Sequence, residues 1–226
     1  MKKGILLVLL MAVLVVSGAF AQEFKMSAGV GGFMGGDFAG GKTAEVGSIK
    51  VTSSMPNWGY GVYGFYDVTY AEVSVGYFSG VADYNTKYDP ESTYLRNSSD
   101  KLDITTLNLG LLGKYPIAVA EKFFIFPAVG IEYQLFSSVK QNGLNLQWNS
   151  TGEKLTETLD ALWIKAGVGA DIFFTDAIFL RINALYGVRL PNKWESDDKY
   201  MKIAGAEAKS VLGHGLTAKV AVGWKF

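Results

Sequence analysis

Residues able to do covalent chemistry are scarce in this chain, whereas charged residues placed to pair across neighbouring strands are plentiful. His214 is the only histidine and there is no cysteine among 226 residues, so thiolate nucleophiles and Cys/His zinc sites have almost no raw material. Glu195, Asp197 and Asp198 lie close together in a polar segment, but a charge run of this kind is ordinarily solvated surface. The remaining candidates are charges whose chemistry is pairing. If the chain folds back symmetrically about Asp176, Asp171 and Arg181 come directly opposite each other. Glu132 would similarly meet Lys165, and Glu72, Arg189, Lys219 and Lys25 extend the set, with Lys225 at its rim.

Strands must position these charges, because the sequence repeats with period two. Eight segments alternate, and in each one parity is wholly free of charge and amide side chains. The segment from Asn57 to Asp67 shows Trp58, Tyr60, Val62 and Tyr66 on one side. The segment after it sets Ala71, Val73, Val75 and Tyr77 against Glu72, Ser74 and Gly76. Further on, Leu162, Ile164, Ala166, Val168, Ala170 and Ile172 oppose Trp163, Lys165, Gly167, Gly169 and Asp171. The final segment sets Leu216, Ala218, Val220, Val222, Trp224 and Phe226 against Thr217, Lys219, Ala221, Gly223 and Lys225. A soluble sheet also alternates, but its second face is rich in lysine and glutamate because it meets water. Here the second face is mostly Gly, Ser, Thr and Ala with sparse charges, which suits the lumen of a narrow closed barrel whose apolar face meets lipid. The 27 glycines and a charged fraction of only 19% agree with that assignment.

Connections fall into two length classes that alternate. Short ones occur at Val68-Thr69, at Pro116 to Lys122 and at Thr175 to Ala177; long polar ones near Gly35 to Pro56, Ser79 to Asp100, Ser137 to Glu157 and Pro191 to Ser210. Three short and four long connections match a transmembrane barrel with short turns on the periplasmic side and long loops outside. Trp58, Tyr66, Tyr77, Tyr115, Tyr133 and Trp224, near strand ends, would form aromatic girdles at the two interfaces. The expected fold is all-β, an eight-stranded antiparallel up-and-down transmembrane β-barrel.

Lys2 and Lys3, an apolar run from Ile5 to Val16 and the small-x-small triplet Ala19-Phe20-Ala21 read as a Sec signal peptide over residues 1–21, leaving the barrel to residues 22–226. The run is too short to span a bilayer as a helix. Without the two leader lysines the balance is 19 basic to 21 acidic side chains, which offers nothing to nucleic acid.

The run Ala166-Gly-Val-Gly-Ala-Asp-Ile-Phe-Phe-Thr-Asp-Ala-Ile-Phe-Leu-Arg-Ile-Asn-Ala, two strands about a Thr-Asp turn, and the terminal aromatic Phe226 resemble the small eight-stranded bacterial outer-membrane proteins of the OmpA, OmpX and OmpW type. The resemblance covers the whole mature chain and implies an outer-membrane location with lipid as the principal partner; with so few catalytic residues available, a monomer with no cofactor and no enzyme activity is expected. It also implies that the barrel-insertion machinery reads the end of the last strand, here Val222, Trp224 and Phe226. OmpX-like relatives imply a structural or surface-interaction role, with the long loops meeting a host or surface ligand. OmpW-like relatives imply instead a passive conduit for small hydrophobic solutes, for which Phe124, Phe126 and Trp163 have inward parity. Glu72, Glu132, Lys165, Asp171, Arg181, Arg189 and Lys219 form either a satisfied plug or, as in OmpA-like relatives, a gate whose pairs exchange.

Overall fold

A computed structural model describes residues 25–91, 94–147, 154–193 and 208–226. The leader assignment and the carboxylates Glu195, Asp197 and Asp198 lie outside these residues. The strands are β1 (Met26–Val46), β2 (Ile49–Ser54), β3 (Asn57–Val68), β4 (Ala71–Asp89), β5 (Ser98–Lys114), β6 (Ile117–Ala120), β7 (Phe123–Gln141), β8 (Leu144–Asn145), β9 (Ala161–Phe173), β10 (Ile178–Arg189) and β11 (Ala208–Lys225). A one-turn helix, α1 (Leu155–Leu159), precedes β9.

Eight of these strands pair antiparallel in the ring β1-β3-β4-β5-β7-β9-β10-β11, and β11 returns to β1 to close it. The seam runs from Ser27 opposite Lys225 to Ala44 opposite Ala208, with register shifts on either side of Ala39. Closure removes both sheet edges, so backbone groups inside a bilayer are satisfied by neighbouring strands.

The period-two pattern maps onto the barrel wall as the sequence requires. Val30, Tyr60, Val62, Val75, Val129, Val168, Val220 and Val222 are exposed on the outside, whereas their chain neighbours Tyr63, Ser74, Ala128 and Ala221 are buried inside. On β4 the outward row stays free of charge from Ala71 to Val81, then turns to Asp83. Ten residue steps at about 3.3 Å, tilted as barrel strands are, give an apolar band of roughly 25 Å. Met26, Tyr66, Trp224 and Phe226 mark its turn end, where the Tyr66 and Phe226 rings lie 6.4 Å apart.

The loop end differs from the sequence expectation. Gly35 to Pro56 and Ser79 to Asp100 are strand over most of their length, and Ser137 to Glu157 opens with the end of β7 followed by β8. β1 has 21 residues, β4 and β7 have 19 each and β5 has 17, while β3, β9 and β10 have only 12 or 13. A spanning strand needs about 9–11 residues. The tall strands therefore continue as paired sheet beyond the band, and β2 fills the space between β1 and β4 there. The alternation inverts here, with Leu102 and Ile104 buried inside while Lys101 and Asp103 are exposed outside, and the ladder continues. The turn end also shifts slightly. The first short turn is Thr69-Tyr70, with Thr69 at φ 47° and bonded to the backbone of Lys25. Within Pro116 to Lys122, β6 folds back onto β7.

Inward glycines make room for inward rings. The space a side chain would take at Gly223 is filled by the Phe179 ring, at Gly29 by Phe65, at Gly61 by Phe33 and at Gly187 by Trp163. Each ring lies over a glycine of a neighbouring strand, which is how a lumen this narrow holds several large aromatics.

Candidate functional site: the charged lumen

The charges sit in layers along the barrel axis. Nearest the turns, Arg181 on β10 is 1% exposed. Its Nε and Nη2 donate to the two carboxylate oxygens of Asp171, both at 2.7 Å. These two residues are paired in register across the β9–β10 hairpin. The Nη1 of Arg181 donates to Glu72 at 2.8 Å and lies 2.6 Å from Asp67. Lys114 donates to Asp67 as well. Three rings enclose the guanidinium, with centroids at 4.5 Å for Phe65, 5.2 Å for Phe179 and 5.4 Å for Phe126. A planar fork is the right shape to serve three carboxylates at once, which an ammonium is not.

A second layer centres on Glu132. Lys165 donates to it at 2.7 Å and Lys219 approaches to 3.6 Å. Lys165 is in register with Gly130, and Glu132 with Trp163, so the pair forms on the diagonal, within reach of two long side chains. Lys165 also donates to Thr217, and Asn108 donates to Glu132. The indole of Trp163 donates to Gln134 at 3.0 Å and Gln134 donates to Thr106. Nearest the loops, Arg189 donates to Asp37 at 2.6 Å. Above this layer Met55, Phe78, Ala82, Leu102, Ile104, Phe136, Val139 and Leu159 form an apolar cluster, with α1 contributing Leu159.

Counted over these ion pairs, Arg181, Lys114, Lys165, Lys219 and Arg189 face Asp67, Glu72, Asp171, Glu132 and Asp37. The formal charges cancel. Sequence reasoning named seven of the ten and missed Asp67, Lys114 and Asp37. Asp67 and Lys114 share the inward parity of their strands, and the first short hairpin sets Asp67 directly opposite Glu72. Two carboxylates facing each other demand a cation, and that was the available signal. Asp37 fell inside a stretch read as loop. Lys25 is exposed and outside the network.

Phe124, Phe126 and Trp163 do not line one common cavity. Phe124 faces a vestibule of about 480 Å³ at the turn end. Phe126 is 2% exposed, with Lys114 over its ring. Trp163 borders a mid-lumen cavity of about 30 Å³, and the next cavity toward the loops is about 10 Å³. Val222, Trp224 and Phe226 all project outward from the last strand.

His214 stands on the outer surface, where Tyr186 stacks on it and the tyrosine hydroxyl bonds its Nδ1 at 2.6 Å. Tyr186→Phe is expected to cost at most about 1 kcal/mol, the net worth of one partly exposed hydrogen bond, in urea unfolding of the refolded protein. Among the described residues no cluster of three or more His, Cys, Asp or Glu side chains is arranged to hold a metal.

A closed antiparallel barrel with a lipid-facing apolar band and a charge-balanced interior defines a small membrane β-barrel of the outer-membrane type. No family model matches the sequence, and no curated protein sequence is significantly similar to it. Among solved structures the chain is similar to the outer membrane protein OprG from Pseudomonas aeruginosa, with a TM-score of 0.48 and 11% identity over 90% of this chain and 96% of that one. It is also similar to Neisserial surface protein A, with a TM-score of 0.46 and 9% identity over 89% and 97%. The outer membrane protease OmpT from Escherichia coli has a TM-score of 0.37 and 8% identity over 91% and 99%. No residue role is carried across from these barrels.

Proposed function

We propose that this chain is a monomeric outer-membrane barrel with a closed lumen, whose working surface is the raised rim of strands at the loop end. In this reading the leader directs Sec export, and the insertion machinery reads Val222, Trp224 and Phe226. Lipid is the resident partner and a surface ligand meets the rim; the barrel is not an enzyme. The observation that carries it is the fall in cavity volume along the axis among the described residues, from about 480 Å³ at the turns to about 30 and 10 Å³ beyond the Arg181 layer. The last two have room for no more than about one or two water molecules. The ion pairs act as a plug, because separating any of them strands a buried charge.

Planar-bilayer recording of the refolded protein tests this. The expected result is no ion conductance above the bare bilayer, with a folded barrel verified by its heat-dependent mobility on a gel. Steady unitary conductance would overturn the closed lumen. The conduit reading is favoured by one feature, the placement of Phe124 on the vestibule, and predicts selective uptake of an aromatic solute over a sugar by proteoliposomes.

A further inference from the structure

The vestibule at the turn end has a composition that the plug does not require. It has a volume of about 480 Å³, within the range of small-molecule sites. Its floor is already neutral, since Lys114 and Arg181 are engaged by Asp67 and Asp171. One wall is aromatic. Phe124 on β7, Phe173 on β9 and Phe179 on β10 come from three consecutive strands, with centroids 5.7 Å apart for Phe124 and Phe173 and 5.0 Å for Phe173 and Phe179.

The rim is mixed in charge but leans positive. Lys25, Lys122 and Lys225 face the same space as Glu121 and Asp176. Among the described residues none of the three lysines is in an ion pair. Two of them flank the ring wall. The backbone carbonyl of Lys122 accepts a hydrogen bond from Phe173 at 2.8 Å, and the Lys225 ammonium stands 5.7 Å from the Phe173 centroid.

A ring wall edged by ammonium groups that lie outside the ion pairs of the described residues recognises a flat apolar body carrying an anion. The body gains offset or edge-to-face contact with the phenylalanines, and the anion gains charge-assisted hydrogen bonds that a neutral analogue lacks. We propose that the turn-end vestibule is a binding site for a small aromatic carboxylate entering from the turn side. The site lies on the turn side of the Arg181 layer, so it stands whether or not the lumen conducts.

The test uses the full refolded chain in lipid nanodiscs, with 2-naphthoate as the probe in isothermal titration calorimetry and empty nanodiscs as the partition blank. The expected result is saturable one-to-one binding. The triple variant Lys25→Gln, Lys122→Gln, Lys225→Gln should weaken it about tenfold, as three partly exposed ion-pair partners are lost. Lys140→Gln, at the opposite end of the barrel, should leave it unchanged. Both variants alter side chains that are in no ion pair among the described residues, and heat-dependent gel mobility checks that each is folded. Four results would overturn the proposal: no saturable binding, equal affinity for neutral 2-naphthamide, no effect of the triple variant, or tighter binding of dodecanoate, which would assign the vestibule to a lipid chain.

Discussion

Arg181→Ala is expected to destabilise the refolded barrel by about 3–5 kcal/mol, read as a lowered urea midpoint and a loss of the compact band on unheated gels. The side chain donates to Asp171 and Glu72 and lies within ion-pair distance of Asp67. Its removal leaves three buried carboxylates to the single ammonium of Lys114. Arg181→Lys restores the charge but not the fork, so it should recover only part of the loss. An Arg181→Ala barrel as stable as the parent would mean that the carboxylates are neutralised some other way, and the plug would lose its central member.

Gly223→Leu is expected to block refolding or to cost 3 kcal/mol or more, at the upper end of what overpacking does. The space next to Gly223 is occupied by the Phe179 ring, itself 1% exposed. That ring in turn stands against the Arg181 guanidinium and the Phe65 and Phe173 rings, so it cannot step aside without disturbing the ion pairs. Gly223→Ala should do less harm, and adding Phe179→Leu to it should recover stability relative to Gly223→Ala alone. That non-additivity, measured as a double-mutant cycle, separates a ring-seat effect from a general intolerance of the strand. Additive losses would remove the argument that the glycines exist to seat rings.

The transmembrane part of the fold was legible in the sequence because lipid enforces the alternation. Every residue from Ala71 to Val81 had to declare its side, and the turn at Thr175 to Ala177 then fixed Asp171 against Arg181. Above the band the constraint lapses. Asp83, Lys101, Asp103 and Lys140 are exposed yet still belong to long paired strands, and the apolar parity changes sides there, to the inward Ala82, Leu102, Ile104 and Val139, so an outward apolar row traced up from the band stops and the rest reads as loop. Asp37 was lost for that reason. Asp67 and Lys114 were lost for another: they sit at strand ends, where a charge reads equally well as the start of a turn. The diagonal contact of Glu132 with Lys165 was within reach because both lie in mid-strand, where the inward parity is unambiguous. The rings of Phe124, Phe126 and Trp163 shared a parity but not a level, and parity alone says nothing about height along the axis.

The seam between β1 and β11 has a consequence for biogenesis. Because the first and last strands of the ring complete each other, every intermediate that lacks β11 presents two open edges, one on β1 and one on whichever strand was made most recently. Each edge is a row of unpaired amides and carbonyls able to recruit a strand from another chain. The polypeptide therefore cannot protect itself by folding piecemeal, and it depends on being kept apart from its own copies until the whole ring can shut in one step.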